Sequence, residues 1–60
     1  MMRLIKVHYV DGDEIFVNVE YIEIFFSTEN SNYLHTLEDH LIVVETPEEI
    51  IQLIKQAKEI

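Results

Sequence analysis

The sequence predicts an α+β fold: a small, strongly bent antiparallel sheet of five strands, a meander or a half-open barrel, with one C-terminal α-helix packed on one face. Three observations carry this expectation. Up to about residue 45, apolar residues alternate with polar ones or run in short blocks, broken by Asp11-Gly12 and a Ser/Thr/Asn cluster, as in short strands joined by turns. From Thr46 onward, a helix-start signature opens a stretch with apolar residues at helical spacing. Finally, 60 residues with 48% hydrophobic content make one domain, spanning 1–60, near the lower edge of what folds alone.

The first strand, about 3–10, places Ile5, Val7 and Tyr9 on one face and Lys6 and His8 on the other. Asp11-Gly12 marks a turn, and the second strand, about 14–19, aligns Ile15, Val17 and Val19. A two-residue loop would set the two apolar rows on opposite faces. A three-residue loop, Val10-Asp11-Gly12 with Gly12 left-handed in a bulge, pairs Val7 with Ile15 and Ile5 with Val17. Burial of a shared face selects the three-residue loop. The third strand, about 21–27, should present Ile22, Ile24 and Phe26 on one side and Tyr21, Glu23 and Phe25 on the other. After the polar turn of residues 27–32, strands at about 33–37 and 41–45 are joined around Glu38-Asp39. Both their faces are apolar, so alternation leaves their register open.

The helix, about 47–59, is the strongest element. Thr46 as N-cap and Glu49 at the third helical position form a capping box, and Pro47 occupies the first turn, where its missing N–H would have been unpaired anyway. Glu48 and Glu49 suit the positive end of the helix dipole, Lys55 and Lys58 the negative end. Ile50, Leu53, Ile54 and Ala57, widened by Ile51, form the stripe that must cover a sheet.

One helix covers one face. Phe16, Tyr21, Phe25 and one of the two rows of the last hairpin are left for the other, and an apolar second face on an antiparallel sheet is normally packed against something. Small domains need added support, and without cysteine neither disulfides nor thiolate zinc sites can supply it. A homodimer or higher homo-oligomer is therefore expected, with Phe16, Tyr21 and Phe25 as its interface.

Composition also bounds function. Twelve acidic residues against four Lys and Arg give a formal charge of −8, which repels phosphate and points away from nucleic acid and anionic membranes. The same surface suits a basic protein partner. No apolar run approaches the roughly 20 residues of a membrane span, so no insertion is expected and a cytoplasmic location is the default. His8, His35 and His40 are the conventional metal or base candidates; His35 and His40, five apart around a turn, are not expected to face each other directly, and no spacing enforces a metal site. Asp11, Asp13 and Glu14 surround a tight turn rather than forming the twelve-residue ligand alternation of a calcium loop. Ser27 and Ser31 have no histidine spaced to activate them, and a single glycine precludes a phosphate-cradling loop. An enzyme is not expected, nor any cofactor.

Asp11-Gly12, Val17-Asn18, Tyr21-Ile22-Glu23, Thr36-Leu37, Val43-Val44-Glu45 and Glu48-Glu49-Ile50-Ile51, in this order and spacing, resemble the FlbD-like family of small bacterial proteins associated with flagella and swarming. The resemblance spans nearly the whole chain. It implies a non-enzymatic accessory or adaptor protein, with no catalytic residue and no cofactor. The competing expectation is an acidic regulator from a phage or mobile element that binds a basic protein surface, as a nucleic-acid mimic would.

Overall fold

A computed structural model describes residues 2–60; Met1 lies outside them. The strands are β1 (Leu4–His8), β2 (Glu14–Asn18), β3 (Ile22–Ser27), β4 (Asn32–Thr36) and β5 (His40–Val43), followed by α1 (Pro47–Gln56). All pairings are antiparallel, and the architecture is α+β with one C-terminal helix.

The first hairpin adopts the bulged register. Ile5 pairs with Val17 and Val7 with Ile15, so both apolar rows look inward. Gly12 donates to the Tyr9 carbonyl at 2.9 Å, Tyr9 donates to the Asp13 carbonyl at 2.9 Å, and Gly12 sits at φ +97°. Only glycine takes that conformation without strain. The Asp11 carboxylate accepts from the Asp13 amide at 3.0 Å, tying the acidic cluster into the turn itself.

The five strands do not form one sheet. They divide into a two-stranded sheet, β1-β2, and a three-stranded sheet, β3-β4-β5. The cause lies at Val19–Tyr21, a single 3-10 turn capped by Asn18, whose side chain accepts from the Glu20 amide at 2.9 Å. That turn uses residues that would have continued the ladder and swings the chain away, so β3 finds its partner in β4. The sheets meet at a narrow seam: the Tyr9–Val43 bridge and a hydrogen bond of 3.0 Å from the Val44 amide to the His8 carbonyl.

A second irregularity reverses expected faces. Ile22 pairs with Thr36 and Ile24 with His35, leaving Glu23 as an extra residue in a bulge. Ile22 and Phe25 therefore both pack against the core, while Ile24 is 53% exposed. Strict alternation would have separated Ile22 from Phe25. Phe25 lies in the row of Leu34 and Leu41, both buried.

The helix begins as expected. Thr46 Oγ1 accepts from the Glu49 amide at 3.2 Å, and Glu49 Oε1 accepts from the Thr46 amide at 2.9 Å. It ends at Gln56, short of residue 59, because the tail is drawn into strand-like pairing: Arg3 bridges Glu59, and the Ile60 amide donates to the Met2 carbonyl at 2.8 Å. Lys55 stays in the last turn, Lys58 does not. Ile50 is fully buried, Leu53, Ile54 and Ala57 pack beside it, and Ile51 is 42% exposed rather than part of the stripe. The core joins Ile5, Val7 and Val17 of one sheet to Leu34, Leu41 and Val43 of the other, under Ile50.

Candidate interaction sites

Strand pleating turns Lys6 and His8 away from the core and toward the first turns of α1. Together with Glu45, Glu48, Glu49, Gln52 and Leu53 they line a groove of about 550 Å³. Glu45 organises its floor. One carboxylate oxygen accepts from the His8 backbone amide at 2.9 Å, and the other lies 2.7 Å from His8 Nδ1. Burial acts to raise the Glu45 carboxyl pKa. The hydrogen bonds from the His8 ring, the His8 amide and the amide of Glu45 itself, with the charge on His8, outweigh burial and leave it below the ordinary glutamate value. On the far side of the ring, Glu14 Oε2 lies 3.8 Å from His8 Nε2 and 3.5 Å from Lys6 Nζ. The groove is thus lined by the carboxylates of Glu45, Glu48 and Glu49, with Glu14 on the other side of the imidazole.

The pairing of His8 with Glu45 was not legible in the sequence. The residues are 37 apart, and their meeting depends on how β1 lies against the chain entering α1. Alternation did place His8 on the polar row, and that is as far as local pattern reaches.

Of the three residues predicted to form an interface, the structure brings two together. Phe16 and Tyr21, 62% and 52% exposed, border a shallow depression on the open side between the sheets, with Asn18, Thr36 and Asp39. Phe25 is not with them, because the Glu23 bulge turns it to the core.

The outer face of the three-stranded sheet is a second apolar surface, one that sequence alternation did not resolve. Its two rows are Ile24, His35, His40 and Phe26, Tyr33, Ile42. Phe26 stacks on Tyr33 at 5.0 Å between centroids, and His35 meets both rings edge-on at 5.3 and 6.2 Å. His35 and His40 are direct cross-strand partners, with rings stacked at 4.0 Å and an interplanar angle of 14°. This corrects the expectation that they do not face each other. The hairpin closes on the pair Thr36–Asp39 around a two-residue loop, which makes residues five apart opposite. The Thr36 hydroxyl accepts from the Asp39 amide at 3.0 Å and the Glu38 amide at 3.4 Å, so the tight turn forms without glycine.

Among the described residues, no group of three or more His, Asp or Glu side chains is arranged to hold a metal ion. No helix among them is long and apolar enough to cross a membrane.

No curated protein and no solved structure matches the chain. The profile of the FlbD family, described as flagellar and swarming motility proteins, matches residues 4–60. The match runs through both sheets, the helix and the paired tail. The chain belongs to the FlbD family of flagellar and swarming motility proteins.

Proposed function

We propose that this protein is a non-enzymatic accessory factor of flagellar motility in the bacterial cytoplasm, working through protein–protein contacts that include contact between its own copies. The observation that carries the reading is the exposure of large apolar side chains on a domain of 60 residues, Phe16 and Tyr21 on one side and Ile24 and Ile42 on another. Exposed apolar surface of this kind marks interaction sites. The non-enzymatic part goes with the family, whose description is of motility proteins. Deleting the gene should reduce swarming in a flagellated host, and the intact chain supplied in trans should restore it. Unaltered swarming in the deletion strain would overturn the motility role. Cross-linking in cells tests the contacts, which predict species larger than the 7.2 kDa monomer.

The acidic groove favours a second reading, a regulator that engages a basic protein surface. Glu45, Glu48 and Glu49 line it beside Lys6, whose ammonium Glu14 already approaches at 3.5 Å. A Lys- and Arg-rich partner peptide would bind with an affinity that falls as salt rises. Glu48→Lys with Glu49→Lys would abolish that binding, and an unchanged titration would dismiss the groove.

A further inference from the structure

We propose that two copies of this chain pair face to face through the outer surface of β3-β4-β5, with the His35–His40 stack inside the contact. The inference rests on the self-association reading above and commits it to one surface and to a closed, two-fold pair.

Charge selects both the face and its occupant. Twelve of the 60 residues are acidic and the net charge is −8, yet Ile24, Phe26, Tyr33, His35, His40 and Ile42 include no carboxylate. Two such chains repel each other over most of their surface, and approach is least opposed where carboxylates are missing. A basic partner is drawn elsewhere, to the carboxylates of the groove. A neutral apolar face best fits another neutral apolar face, and a second copy presents one of identical outline. A surface that meets itself about a two-fold axis closes at two copies.

The face is also prepared for contact. Phe26, Tyr33 and His35 hold one another in stacked and edge-on arrangements, so little side-chain freedom remains to be lost on association. Its two rows hold six side chains, few against the roughly 20–30 residues a side of a standard stable interface. The pair is accordingly a transient one.

The stacked imidazoles give this surface a signature. Pairing brings four rings out of water, and protonating them there places like charges at close range. Of the other side chains in the two rows, Tyr33 on β4 is titratable and Ile24 and Phe26 on β3 and Ile42 on β5 carry no charge; Glu23 stands exposed in the bulge beside Ile24, and Glu38 and Asp39 in the adjoining turn. Acidification that protonates these rings should therefore weaken the pair. Overall charge predicts the opposite sign, since protonating three histidines takes the chain from −8 to −5 and relaxes the general repulsion. The Phe16–Tyr21 depression has no imidazole in its lining and would follow overall charge.

Sedimentation equilibrium of the full chain, from low micromolar to millimolar, tests the proposal. The expected result is a monomer–dimer equilibrium that weakens on mild acidification, at least tenfold weaker in Ile42→Glu and unchanged in Phe16→Glu. Ile24→Glu gives a second variant on the same face, and circular dichroism identifies which variants keep the fold. If Phe16→Glu dissociates the pair while Ile42→Glu and Ile24→Glu do not, this face is wrong and self-association stands on the other patch. A pair that tightens on acidification, or assembly that grows beyond two copies, overturns the proposal. Monomer throughout the range overturns self-association altogether.

Discussion

Glu45 is the residue on which the polar side of the molecule turns. Its two oxygens fix the backbone and the ring of His8 together, and its carboxyl pKa is lowered although burial alone would raise it. A group whose folded pKa is lowered contributes stability above its unfolded pKa and loses it as pH falls through the folded one. Acid unfolding should therefore begin as pH drops below the ordinary glutamate value and should continue through the lower folded value. Glu45→Gln should cost about 1–2 kcal/mol at neutral pH, the scale of hydrogen bonds to a charged group. It should also flatten the acid limb of stability against pH, as urea titrations at neutral and acid pH would show. A variant with an unchanged acid limb would place the titrating group elsewhere.

At the scale of elements, local chemistry and long-range packing divide cleanly. The cap of α1 and the bulged first turn are written in adjacent residues, Thr46-Pro47-Glu48-Glu49 and Val10-Asp11-Gly12, and both form as their chemistry requires. Their substitutions can be anticipated. Gly12→Ala meets no heavy atom within 4 Å of the added methyl, so its effect, about 1 kcal/mol lost, is backbone strain at φ +97° alone. Thr46→Ala should remove about 1 kcal/mol by leaving the Glu49 amide without its cap. Chemical denaturation would measure both, and a neutral Gly12→Ala would mean the turn relaxes out of the left-handed region. By contrast, the Glu23 bulge, the 3-10 turn at Val19–Tyr21 and the unwound tail were not legible. Each is decided by a distant partner: Thr36 and His35 for the bulge, Arg3 for Val19 and Glu59. Phe25 shows the consequence at a candidate site, because one inserted residue moved it from the expected open face to the core side.

At the scale of the molecule, seven buried side chains among the described residues join two sheets and a helix. A domain of this size holds only about 3–5 kcal/mol from such a core. Leu34, at 0% exposure in the central strand of the three-stranded sheet, belongs to that core. Leu34→Ala should remove about 2–5 kcal/mol and leave much of the chain unfolded at room temperature. Thermal melts followed by circular dichroism would show this against Ile24→Ala, which should shift stability by less than about 0.5 kcal/mol. A cooperative, near-native melt for Leu34→Ala would mean that the cluster repacks around the gap.

The seam between the sheets has a consequence for the order of folding. Hairpin β1-β2 and meander β3-β4-β5 each close through partners near in sequence, whereas Tyr9–Val43, Val44–His8 and His8–Glu45 join segments more than thirty residues apart. Contacts that demand the longest loop closure tend to form late, after the rate-limiting barrier. Glu45→Gln should then leave the refolding rate nearly unchanged and accelerate unfolding by most of its equilibrium effect. In a chevron plot the unfolding limb would rise while the refolding limb stayed in place, marking the seam as a part of the molecule that zips after the barrier.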